Sequence, residues 1–125
     1  MLENKIFEVE YEYDRDADAI FIKKKIDYKY KISVELNNNI IMDFDKKSKP
    51  VAIEILNAST VLAIDKCSLK NITDLKLTVI VNKDIICVDV KIIVNVHNKK
   101  NELSLYSSTT NDMSMPVFPA ELATA

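Results

Sequence analysis

"IFEVEYEY", residues Ile6 to Tyr13, sets Phe7, Val9, Tyr11 and Tyr13 on alternate positions with Glu8, Glu10 and Glu12 between them. Side chains of an extended chain point alternately to opposite faces, so the stretch predicts a strand with one apolar and one acidic face. The same period continues downstream, with Ile32, Val34 and Leu36 in "KISVEL", Ile40, Met42 and Phe44 in "NIIMDFD", and Val51, Ile53 and Ile55 in "PVAIEIL". A slip of one residue would turn a strand inside out, so the registers can be tested against one another. A loop of Asn37, Asn38 and Asn39 sets Leu36 against Ile40, Val34 against Met42 and Ile32 against Phe44. A loop of Lys46 to Lys49 then sets Phe44 against Val51, Met42 against Ile53 and Ile40 against Ile55. Pro50 falls on the first residue of its strand, where a missing N–H is tolerated.

After "LNAST" the period changes. Val61, Leu62 and Ile64 suit one short helix near residues 59–66, capped by Ser59 or Asn57. Alternation then resumes, with Leu75, Leu77, Val79 and Val81 opposing Ile86, Val88, Val90 and Ile92 across a tight turn at Lys83 and Asp84. A loop "NKKN" carries Val96 and Val94 onto Leu103 and Leu105. The fold class expected is therefore mainly β: antiparallel meanders of about eight strands with one short helix, packed as a sheet or a sandwich. The predicted organisation is a single β-rich domain over 1–108, in which 67–108 forms an additional three-stranded meander after the first part, 1–66. Residues 109–125 form a tail or docking arm, with Met113, Met115, Val117, Phe118 and Leu122 as the side chains that could dock.

The chain has 125 residues, enough for one core that buries roughly two thirds of the unfolded surface. Its hydrophobic fraction of 48% and charged fraction of 29% are those of a folding globular protein. The formal net charge of −2 gives no overall positive field, so neither nucleic acid nor an anionic membrane is favoured as a partner. Cys67 and Cys87 match no zinc spacing and are too few for a disulfide framework, which fits reduced thiols and a cytoplasmic location. No apolar run reaches signal-peptide or membrane-span length. Glycine is absent, which excludes Gly-rich phosphate loops and leaves positive-φ turns to Asn and Asp.

Three segments, "YDRDADAIFI" (Tyr13 to Ile22), "IIMDFD" (Ile40 to Asp45) and "VAIEILNAS" (Val51 to Ser59), follow one another in the order and spacing of a known pattern. Over about residues 9–62 the chain resembles the family of small prokaryotic proteins called domain of unknown function 2283. Asn39, Ser48 and Ala52 stand where members of that family usually carry glycine, and Phe21 and Phe44 replace tyrosines. The resemblance implies an antiparallel β architecture over 1–66 and no activity or cofactor. The family's small, free-standing form prompts an antitoxin-like or regulatory partner of another small protein as one reading.

Asp14, Asp16 and Asp18 imitate the opening of a calcium loop, in which alternate carboxylates converge on one hard cation. Ala19 then stands where the loop needs glycine and Lys25 where it needs a bidentate Glu, so the competing reading is an Asp-rich corner that bonds its own backbone. Lys23, Lys24 and Lys25, with Tyr28 and Tyr30 among the lysines that follow, could track phosphates beside stacking rings, or simply protect a sheet edge. Ile80, Ile85, Cys87 and Ile93 alternate onto the side opposite the inward residues of the second meander. A sheet with apolar residues on both faces needs a second cover, which favours a homodimer or another protein partner. The function expected is thus a protein-interaction or homodimerisation module without catalysis. A metal- or small-ligand-binding protein using the Asp corner is the alternative, followed by nucleic-acid binding through the Lys23–Lys31 hairpin.

Overall fold

A computed structural model describes residues 6–124; Met1 to Lys5 and Ala125, the ends of the predicted domain and tail, lie outside the described residues. The strands are β1 (Ile6–Asp14), β2 (Ala19–Lys24), β3 (Tyr30–Asn37), β4 (Ile40–Asp45) and β5 (Pro50–Ile55). Two one-turn helices, α1 (Ala58–Val61) and α2 (Lys66–Leu69), lead to β6 (Ile72–Val81), β7 (Ile85–Val96), β8 (Lys99–Thr110) and β9 (Phe118–Ala123). All nine strands join one sheet in the order β3-β4-β5-β2-β1-β9-β6-β7-β8.

The period-two reading holds for most pairs, but at two bulges it shifts by one residue: Ile40 faces Asn37 instead of Leu36, and Phe44 faces Pro50 instead of Val51. Val34 faces Met42, Met42 faces Ile53 and Ile40 faces Ile55, while Leu75, Leu77, Val79 and Val81 face Ile92, Val90, Val88 and Ile86. Apolar positions of both halves contribute to one core cluster. The sheet can enclose that core because it curls. Bulges in the β3–β4, β4–β5 and β6–β7 pairings bend the strands and raise their twist. The two end strands approach until Asn37 Nδ2 donates to Ser107 Oγ at 2.8 Å.

Three expectations need correction. The single helix near 59–66 is two separate turns, split by Ala63 in the left-handed region (φ 54). Asn57 occupies the first N-cap position without a side-chain cap bond, whereas Asp65 caps α2 by accepting from Ser68 N. The β7–β8 register also differs. His97 and Asn98 both take positive φ (51 and 63), a two-residue turn whose twist matches that of the flanking strands. Pairing therefore begins at once with Val96 opposite Lys99, and Leu103 and Leu105 face Ile92 and Val90. Because the displacement is an even number of residues, the inward set is unchanged.

The tail is the largest difference. It returns as β9 to the middle of the sheet, parallel to β1 (Ile6–Glu121, Phe7–Leu122, Glu8–Ala123) and antiparallel to β6 from Lys76 to Val81. Pro119 falls where β9 is flanked on one side only, since pairing with β1 starts at Glu121. Buried Asn111 fixes the approach by donating to Asn82 O and Met115 O and accepting from Met115 N. Beyond β9, Thr124 N donates to Leu75 O and Thr124 Oγ1 accepts from Leu75 N.

Two outcomes follow for stability. Leu122 is 2% exposed between the halves, so Leu122→Ala should cost about 2–5 kcal/mol in urea unfolding, whereas a frayed tail would give a change near zero. Ser48 holds φ 61 in the β4–β5 hairpin, a conformation that disfavours any side chain with a Cβ. Ser48→Gly should accordingly stabilise by about 1 kcal/mol and raise the melting temperature by about 3–5 °C; an unchanged or lower midpoint would contradict this.

Candidate functional site

The Asp corner closes the β1–β2 hairpin. Asp14 Oδ1 accepts from Asp16 N and Ala17 N at 3.0 and 3.2 Å. Asp16 is exposed. Asp18 takes φ 52, which Asp tolerates better than most residues, and its carboxylate points towards α1. There Oδ1 accepts from Tyr13 Oη (2.8 Å) and Ser59 N (3.1 Å), and Oδ2 accepts from Ser59 Oγ (2.7 Å), while Asp18 O accepts from Ala58 N. Asp14 thus bonds its own turn, Asp18 ties the hairpin to α1, and Asp16 points to solvent. Among the described residues no group of three or more His, Cys, Asp or Glu side chains is placed to hold a metal ion.

This arrangement shifts two groups. Desolvation raises the Asp18 carboxyl, but the bonds from Ser59 and Tyr13 together with the charge of Lys66 outweigh it, so its pKa lies below the usual aspartate value. Tyr13 is pushed up to about 12 by burial, by its bond to Asp18 and by that residue's negative charge.

The lysine run is split by the same alternation that builds the sheet. Lys23 pairs with Glu10 (3.3 Å) and Lys25 with Glu8 (3.7 Å) on one face. Lys24 continues the inward series of Ile20 and Ile22, sits opposite Val9 and is only 3% exposed. Its ammonium lies 3.8 Å from the centre of the Phe7 ring and 5.9 Å from that of Phe118. Burial pushes its pKa below the ordinary lysine value; Asp45 opposes the shift and Lys49 adds to it. Tyr28 borders the same region, and exposed Tyr30 bonds Ser33, which in turn donates to Asp43. The sequence signal for an inward Lys24 is the alternation of Ile20 and Ile22 carried on by two residues.

On the second half, Ile80 faces Cys87 and Cys87 faces Ser108, away from the core, with Ile85 opposite Thr110 and Ile93 opposite Glu102. Ile80 and Ile85 are 44% and 37% exposed and Tyr106 is 63% exposed. Cys87 is nonetheless buried.

Asp18 supplies an acid-dependent contribution to stability. Its folded pKa is depressed, so the contribution is present above the unfolded value of about 4 and is lost as pH falls through the lower, folded value. Asp18→Asn, which retains tolerance of positive φ, should be less stable than the parent at neutral pH and lose less stability on going to about pH 3. Parallel urea-midpoint profiles for the two proteins would show that Asp18 does not carry the effect. The raised Tyr13 pKa acts at the other end, where stability from its neutral hydroxyl is present below about 10 and lost as pH rises towards about 12.

No curated protein and no solved structure is significantly similar to this chain. Residues 10–59 match the model of the family described as a protein of unknown function (DUF2283). That span runs from β1 to α1 and takes in the Tyr13, Asp18 and Ser59 bonds, while β6 to β9 lie outside it. The likeness to the DUF2283 family is confined to residues 10–59, 50 of the chain's 125 residues.

Proposed function

We propose that this small β-rich protein is a binding module that acts by contact, without catalysis, and that its first partner is a second copy of itself. The supporting observation is the β8 edge. β8 runs for 12 residues at the end of the sheet, and it meets β3, the strand at the other end, through a side-chain bond at Ser107. Beside this edge, the outer face carries Ile80, Ile85 and Tyr106 in exposed positions. β3 approaches β8 without pairing with its backbone, so β8 remains an edge strand, and an edge strand next to apolar side chains is a template for strand addition. Two copies can satisfy it isologously, each β8 antiparallel to the other, so that the same surface serves both sides. Lys99 and Lys100 at the start of β8 limit open-ended stacking and favour a closed pair.

Light scattering at micromolar concentration should report a mass near twice that of the chain. The double variant Ile80→Glu, Tyr106→Glu should return it to the monomer with an unchanged circular dichroism spectrum. A parent protein that stays monomeric throughout would overturn the reading.

A further inference from the structure

The curled sheet has a mouth where β1 and β9 begin and β2 and β4 end, and Lys24 sits inside it. Its position is unusual for a lysine. The side chain is 3% exposed, yet its ammonium is not sealed from solvent: among the described residues it has neither an ion-pair nor a hydrogen-bond partner, and it meets the cleft with the Phe7 ring face beside it. An ammonium has three N–H donors, and an aromatic face offsets only part of their lost hydration.

The mouth opens as a cleft of about 450 Å³ lined by Lys24 and also by Lys29, Lys46, Lys47 and Lys49, with Asp27 and Asp45 as its acids. Five lysines against two aspartates leave three positive charges unbalanced on a chain whose net charge is −2. Asp45 does not neutralise them directly, because its Oδ1 accepts the backbone N–H groups of Lys47 and Lys49 and shapes the β4–β5 turn. The two lysine-bearing loops are tied together where Lys46 N donates to Lys29 O at 2.9 Å. Phe7, Ile26 and Tyr28 supply an apolar wall.

We infer that this mouth is a binding site for a small organic anion, whose phosphoryl or carboxylate head accepts hydrogen bonds from Lys24 and the flanking lysines while its apolar body lies against Ile26 and Tyr28. Barrel mouths with an apolar wall and a few converging polar groups are common ligand sites, and a compact ammonium suits a multiply charged oxyanion. The ligand supplies the acceptors that Lys24 lacks. Local attraction of anions is compatible with the acidic net charge because surface charges act over roughly 10 Å at moderate salt. The site is independent of self-association, since the residues that would hold the anion belong to the mouth and not to the β8 edge.

The test is calorimetric titration of the full chain with inorganic phosphate, phenyl phosphate and benzoate at low salt. Phenyl phosphate should bind saturably at one site and more tightly than inorganic phosphate. Its advantage over benzoate, or the reverse, distinguishes a phosphoryl from a carboxylate head. Lys24→Met should weaken binding by about tenfold or more while melting no lower than the parent, because an apolar side chain of similar length removes the buried charge. Lys49→Met, at an exposed position that does not endanger folding, should also weaken binding, whereas Lys100→Met on β8 should not. The Ile80→Glu, Tyr106→Glu protein should bind like the parent. The inference is overturned if none of the three probes saturates, or if the Lys24 and Lys49 variants bind like the parent. An oligonucleotide that outcompetes phenyl phosphate and is indifferent to Lys24→Met would overturn it in favour of a nucleic-acid surface.

Discussion

Everything in this molecule depends on β9 lying between β1 and β6. Without it the chain would comprise two meanders, β1 to β5 and β6 to β8, each ending in an open edge where the other should begin. Six residues join both edges at once, by parallel pairing with Ile6 to Glu8 on one side and antiparallel pairing with Lys76 to Val81 on the other. The parallel contact is the more demanding of the two, because parallel neighbours need a long crossover. Here the connection is nearly the whole chain, so the closing contact joins positions more than a hundred residues apart in sequence. That ordering cost is compensated by burial of Leu122 within the common core and by the Asn111 and Thr124 bonds that fix the two ends of the segment.

The family-matched segment has its own lock. Tyr13 and Asp18 lie in one segment of the motif that carries the resemblance and Ser59 in another, 41 residues after Asp18, yet all three meet around a single carboxylate. One acid holds the end of β1, the β1–β2 turn and the first residues of α1. The geometry explains why a tyrosine, an Asp-Ala turn and a small polar residue after an Ile-Glu-Ile-Leu strand belong together: each gives or receives one bond that the others need. What the motif encodes here is the closure of a corner, and the chemistry of its aspartates is largely spent on backbone and hydroxyl donors.

How legible this was differs from element to element. Alternation located β1 and β3 to β8 and the inward residues of these strands, because burial on one face imposes the same period whatever the loop lengths; β2 was legible only as part of the family-like segment. The β7–β8 turn was misplaced because neither His97 nor Asn98 is glycine, and positive φ at two such residues in succession is hard to read from composition. β9 was readable only as a set of apolar residues able to dock. "FPAELA" has a proline and two alanines, low strand preference, and becomes extended through neighbours on both sides that supply its hydrogen bonds. In the Asp corner, the residue types suggested local backbone bonding, and Asp14 does bond locally; the reach of Asp18 to Ser59 depends on how the first five strands fold together and has no local signal.

The two exceptions to the binary pattern point in opposite directions. Ile80 and Ile85 are apolar residues facing out, which costs solubility, while Lys24 is a charged residue facing in, which costs stability. A sequence that alternates so regularly elsewhere has no structural need for either. Replacing Lys24 by an aliphatic residue would extend the Ile20, Ile22 series, and the barrel would close over Phe7 and Phe118 without a buried charge. The cleft joins Lys24 and Lys49 of the family-matched segment with Phe7 from just before it, and the Phe118 ring of β9 lies 5.9 and 5.6 Å from the two ammonium groups. The nearer ring, Phe7, belongs to β1, and the tail adds the more distant Phe118. The lysines of the mouth all come from β2 to the β4–β5 turn, and an anion that binds them favours the folded sheet by the mass-action stabilisation that any native-state ligand provides.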